Sequence, residues 1–84
     1  MNQSEREKQF LQLYDEHADA IFRFCFFKVM RTDLAEEFSQ EAFMRAWKHL
    51  SAGNDVENLR AFVYRIANNL MIDYFRKKKE WGRL

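Results

Sequence analysis

Proline is absent from all 84 residues, and glycine occurs only at positions 53 and 82. Proline removes a backbone donor and clashes inside a helix, and glycine weakens one by its entropy. A chain almost free of both is pushed toward long, uninterrupted helices. The period-two alternation of a strand appears nowhere in it. The expected fold class is all-α: a small bundle of three helices, or four if the first one breaks. At this length it is one domain, 1–84, and it buries only roughly 60–65% of its unfolded surface. Nine Phe, three Tyr and two Trp partly offset that small core, because each aromatic removes a large apolar area from water.

Capping and periodicity place the helices. Ser4 followed by Glu7 has the capping-box pattern, which predicts a first helix from there to near Met30. Its apolar positions are Phe10, Leu13, Tyr14, Ile21, Phe24 and Cys25, and the thinning at His17-Ala18-Asp19 allows a kink or break. Thr32 or Asp33 is expected to cap the second helix, with Glu36 and Glu37 in the first turn, where the helix dipole favours acids. Leu34, Ala35, Phe38, Ala42, Ala46, Trp47 and Leu50 supply its buried face, and it stops near Leu50. The polar string Ser51-Ala-Gly-Asn-Asp55 is the one clear loop. The third helix is expected from Glu57 or Asn58 to about Lys79, with Gly82 as its stop. Its apolar stripe is Leu59, Phe62, Val63, Ile66, Ala67, Leu70 and Tyr74, and Phe62, Ile66 and Leu70 are expected in the core.

The net charge of +1 conceals a division. Residues 1–59 carry seven basic and eleven acidic side chains, a balance of −4, and residues 60–84 carry seven basic and two acidic, a balance of +5. The acidic part suits a protein partner and the basic part a phosphate backbone. On the second helix Glu37, Gln40, Glu41, Met44 and Lys48 fall on one face. Glu36, Glu37 and Glu41 have one positive partner at i+4 among them, Arg45. Met44 is apolar where a solvated face is usually polar. On the third helix Tyr64, Arg65, Asn68, Asn69 and Arg76 lie on the side the core does not need. Arg and Lys neutralise phosphate, Asn can read a base edge, and Tyr can stack on an unpaired base.

Other classes find little support. His17 and His49 lie on different elements with no Cys or His at ligand spacing, and no Glu-x-x-His pair exists, so no metal or other cofactor is expected. Gly53 stands alone, without a phosphate-binding glycine loop. No catalytic residue is identified. Cys25 cannot form an intramolecular disulfide and reads as a small buried apolar residue. No signal peptide and no apolar run near the roughly 20 residues of a membrane span is evident, so a cytoplasmic setting is expected.

The string Asp33-Leu-Ala-Glu-Glu-Phe-Ser-Gln-Glu-Ala-Phe-Met-Arg-Ala-Trp47 resembles the second conserved region of bacterial sigma factors. Ala61-Phe-Val-Tyr-Arg-Ile-Ala-Asn-Asn-Leu-Met-Ile-Asp-Tyr-Phe-Arg-Lys77 resembles the segment that follows it. Among sigma factors the resemblance is to the small extracytoplasmic-function subgroup, and it covers about Phe10 to Lys79. It implies that Glu37, Gln40 and Glu41, with Met44 and Arg45 alongside, dock on the coiled coil of the β-prime subunit of core RNA polymerase. It implies that the loop, through Gly53 and Asn54, and the third helix, through Tyr64, Arg65, Asn69, Asp73, Arg76 and Lys77, recognise the promoter −10 element as it melts. The non-template strand would be held with a base flipped out. An anti-sigma factor is a further partner the resemblance admits. Where the family often has Trp, this chain has Phe62, and its loop lacks the aromatic and basic residues many relatives carry. Family members add a helix-turn-helix domain that reads the −35 element; the chain stops before one, so that domain is expected to be absent from it.

The reading is a transcription initiation domain without enzymatic activity. Two rivals remain: a helical module that docks on polymerase without recognising a promoter, for which Arg65 and Asn69 have no purpose, and a basic helical protein that binds duplex DNA by charge alone.

Overall fold

A computed structural model describes residues 1–82, and these form three helices: α1 (Gln3–Val29), α2 (Thr32–Ser51) and α3 (Leu59–Trp81). No strand occurs among the described residues. The molecule is elongated, 49 × 22 × 17 Å, because its 27-, 20- and 23-residue helices lie alongside one another. α1 packs more extensively on α2 than on α3.

α1 runs through His17-Ala18-Asp19 without a break, so the bundle has three helices and not four. Its cap is Asn2, not Ser4: the Asn2 side-chain oxygen accepts the Glu5 N–H at 2.9 Å. Asn2 and Glu5 have the same capping spacing as Ser4 and Glu7, so the earlier pair starts the helix first. Met30 ends α1 in the left-handed region, φ 56°, with its N–H on the Phe26 carbonyl at 2.7 Å. The next residue, Arg31, is extended, and α2 begins immediately. Thr32 and Asp33 are therefore already helical, and no side chain caps α2. Asp33 pairs instead with Arg31 at 2.6 Å, which holds its carboxyl below the usual range. Asn58 caps α3 by accepting the Ala61 N–H at 3.0 Å.

The deepest core residues are of moderate size: Ile21 and Cys25 from α1, Leu50 from α2, Val63 and Met71 from α3. Ala35, Ala42 and Ala46 contribute no bulk, which lets the neighbouring helices come close to α2. Ser39 and Phe43 join this buried face beyond the residues expected. The Ser39 hydroxyl donates to the Glu36 carbonyl at 3.1 Å, which satisfies it in place. Most aromatics ring this centre half-buried. Phe10 meets Phe43 and Trp47, Phe24 meets Tyr64, and Phe38 meets Tyr74.

α3 is rotated from the expected orientation. Its buried ridge is Leu59, Val63, Ala67 and Met71, each four residues from the next. Phe62, Ile66 and Leu70 lie on the flank of that ridge and are only half-buried. Their placement in the core is thus corrected, and it leaves an apolar strip at the surface between α3 and α2.

Candidate protein- and nucleic-acid-binding surfaces

Helical geometry keeps Glu37, Gln40, Glu41, Met44 and Lys48 on the side of α2 away from the core. Met44 is 50% exposed, an apolar residue in the middle of a polar face. Glu41 is held by Arg45 at 2.9 Å. Glu37 and Gln40 have no side-chain hydrogen bond or ion pair to any other described residue. Next to this face a groove runs between α2 and α1, lined by Asp19 and Tyr14 from α1 and by Glu36 and Gln40 from α2. Asp19 extends the acidic character onto α1. No spacing rule within one helix could have linked it to Gln40.

The half-buried strip on α3 forms the floor of an open hollow of about 480 Å³, lined by Arg45, His49, Phe62, Ile66, Asn69, Leu70 and Asp73. Asn69 is exposed at its rim. His49 lies against the Phe62 ring, centroids 5.0 Å apart. A second hollow opens on the loop side of the same ring, between Val56, Glu57, Asn58, Ala61 and Arg65. The structure thus brings Arg65 and Asn69 together on either side of Phe62. Phe62, Ile66 and His49 were not among the expected site residues; the half-buried apolar strip that reveals them depends on the rotation of α3.

Tyr64 is not part of this group. It points to the opposite flank of α3, edge-on to Phe24 of α1 at 5.1 Å, with the Arg60 guanidinium over its ring at 5.6 Å. The expectation that Tyr64, Arg65 and Asn69 form one base-holding set is corrected: a step of five residues carries Tyr64 and Asn69 to different sides of a helix.

Farther along α3, Asp73 sits between Arg76 and Lys77, with Lys77 Nζ at 3.1 Å. The hydrogen bond from Lys77, and then the charge of Arg76, hold the Asp73 carboxyl below its usual range. Asp73 orients these two cations while lowering their net charge.

The loop residues are fixed by the protein itself. Gly53 has φ +96°, which only glycine adopts without strain, and a Cβ there would meet nothing within 4 Å. It turns the chain out of α2, with its N–H on the Leu50 carbonyl at 3.0 Å. The Asn54 amide donates to the His49 carbonyl at 3.1 Å and closes the end of α2. From α1, Arg6 donates through Nε to Asp55 at 3.0 Å and through a terminal nitrogen to the Gly53 carbonyl at 3.1 Å. Arg6 was also not expected at the site. Its sequence signal is that it lies four residues before Phe10, on the inward stripe of α1.

No three His, Cys, Asp or Glu side chains converge as metal ligands among the described residues. No helix among them is long and apolar enough to cross a membrane.

A three-helix bundle is the fold the sequence resemblance implies. The Sigma-70 region 2 family profile matches residues 13–80, and the chain belongs to that family. The chain is 36% identical over 70 residues to the ECF RNA polymerase sigma factor SigW of Bacillus subtilis, covering 83% of this chain and 37% of SigW. It is 32% identical over 69 residues to SigM of the same organism, covering 82% of this chain and 42% of SigM. Against SigL of Mycobacterium tuberculosis it is 34% identical over 68 residues, covering 80% and 38%. The chain therefore spans well under half the length of these relatives. No solved structure matches it significantly.

Proposed function

We propose that this chain is the polymerase-docking and promoter-recognition domain of an extracytoplasmic-function sigma factor, acting by binding and without catalysis, in the cytoplasm. The observation that carries the reading is the hollow of Phe62, Ile66 and Asn69 with Arg65 beside it and Arg76 and Lys77 beyond. An apolar floor accepts the face of a base, the Asn69 amide offers a donor and an acceptor to its edge, and the cations take the flanking phosphates. The captured base belongs to the non-template strand of the −10 element. Tyr64 supports this surface from behind, through Phe24 and Arg60. Gly53 and Asn54 shape the loop that borders it.

Glu37, Gln40 and Glu41 with Met44 and Arg45 form the docking face for the β-prime coiled coil of core RNA polymerase. Met44 supplies an apolar centre and the carboxylates a polar rim, the usual anatomy of a protein interface. An anti-sigma factor would compete for the same two surfaces.

Fluorescence anisotropy with a −10-like oligonucleotide, a scrambled one and the duplex, with and without core polymerase, tests the reading. Extracting a base from a duplex costs a few kcal/mol and almost nothing from a single strand, so the matched single strand is expected to bind best. Equal binding to all three would favour attraction by charge alone. No binding even with polymerase present would leave a docking module without promoter recognition.

A further inference from the structure

Arg6 lies outside the 13–80 span of family similarity, yet it makes the two hydrogen bonds of longest sequence range among the described residues. Its guanidinium joins two acceptors that are 47 and 49 positions away, and its side chain is only 13% exposed. The hydrogen bonds that otherwise fix the loop it holds are at its ends, from the Gly53 N–H and the Asn54 amide on α2 and at the Asn58 cap on α3. Between those ends, Arg6 alone among the described residues hydrogen-bonds both Asp55 and the Gly53 carbonyl; the N-terminal ammonium of Met1 pairs with Asp55 only, at 3.7 Å. A planar guanidinium fork holds both acceptors in one fixed geometry, which the freely rotating ammonium of a lysine does not. The fork is itself rigidly mounted: one turn on, Phe10 is packed against Phe43 and Trp47. The loop leads directly into Val56, Glu57 and Asn58, which wall the hollow beside Phe62 and Arg65.

We infer that Arg6 is a positioning residue for strand binding: it pins the 53–55 segment to α1, so that the wall of the loop-side hollow is in place before a nucleic-acid strand arrives. The inference rests on the strand-binding reading above. Arg6 also cancels the charge of Asp55 near the path of the phosphates, and the test must separate that effect from positioning.

The test uses the chain with Arg6→Ala, Arg6→Lys, Asp55→Asn and the double variant Arg6→Ala/Asp55→Asn. Amide hydrogen exchange at residues 53–57 needs no ligand. It is expected to speed up in Arg6→Ala and in Arg6→Lys, while the amides of the Val63 and Ala67 ridge keep their protection. Anisotropy with the matched single strand, with the chain free and on core polymerase, is expected to show affinity about tenfold weaker for Arg6→Ala, as the competent loop becomes a minor state. Asp55→Asn, which folds even if Arg6→Ala does not because Asp55 is exposed, keeps the Gly53 contact and should fall between. The double variant should stay weak. Full recovery in the double variant would mean that only charge cancellation matters and would overturn positioning. Unchanged exchange at 53–57 in Arg6→Ala, or unchanged affinity where the wild type binds, would overturn the inference alone. A wild-type chain that binds no strand, free or on polymerase, would instead overturn the strand-binding reading itself.

Discussion

Cys25 is fully buried, and desolvation pushes its thiol up from about 9 to about 11. The neutral thiol is a poor nucleophile, so iodoacetamide at pH 8 is expected to leave the folded chain unlabelled and to label it on unfolding. The sign of the linkage follows from the direction of the shift. The unfolded thiol ionises first, so its contribution is intact below about pH 9 and is lost as pH rises toward about 11. Urea melts across that window should show falling stability that Cys25→Ala largely removes; labelling of the native chain as fast as a free thiol would contradict the burial. Asn69 and Lys77 are expected to fail in different ways. Asn69→Ala should cut discrimination between matched and scrambled single strands by about tenfold, the loss of one hydrogen bond, and change overall affinity less. Lys77→Ala should weaken every sequence evenly, and somewhat more than one lost cation would, because Asp73 then keeps only Arg76. Identical profiles for the two variants would remove the distinction between reading and neutralising. The exposed residues of this site were legible because Asn, Arg and Lys have chemistry that a packed core does not need. Arg6 was not, because its partners lie 47 and 49 positions away.

At the scale of elements, the orientation of α3 separates what periodicity can show from what it cannot. Positions 62, 63, 66, 67, 70, 71 and 74 are all apolar, a stripe wide enough to contain two ridges. Period alone cannot choose between them; packing chose 59–63–67–71, where the small side chains of α2 leave room. The existence of three helices and the ends of α3 were readable from breakers, caps and the loop string. The N-terminal cap was not, because Asn2 and Ser4 present the same pattern two residues apart. Stability measurements check the rotation. Met71→Ala removes a fully buried side chain and should cost about 2–5 kcal/mol, enough to unfold much of a small domain. Phe62→Ala should cost less than the about 3–5 kcal/mol typical of a buried Phe, because its ring is only partly buried, yet it should impair oligonucleotide binding strongly. Urea denaturation in which Phe62→Ala is more destabilising than Met71→Ala would restore the unrotated helix.

For the whole molecule, the division of charge becomes a division of labour under the proposed function. Ion pairs on the proposed surfaces stay within one helix: Glu41 with Arg45 on α2, Asp73 with Arg76 and Lys77 on α3. No ion pair among the described residues links the docking face to the strand-binding face. Arg45 borders both faces, but Glu37 does not line the hollow, and salt screens attraction between exposed charges beyond roughly 8 Å, so Glu37 and Arg76 should act independently. Glu37→Lys reverses an exposed charge that has no internal partner among the described residues. It is expected to weaken binding to core polymerase by tens- to thousands-fold, the about 2–5 kcal/mol of a lost interfacial charge pair, and to leave the melting temperature and single-strand affinity of the free chain nearly unchanged. Arg76→Ala should do the converse. In the double variant the effects should add within about 0.5 kcal/mol. The salt response gives an independent check on the strand side. With about three cations on phosphate, Arg65, Arg76 and Lys77, the log–log slope for a single strand should be about −2. Raising salt from about 50 to 200 mM should then weaken binding about fifteenfold. A slope near zero would mean that the strand is not held along these cations, and strong non-additivity would mean that one surface serves both partners.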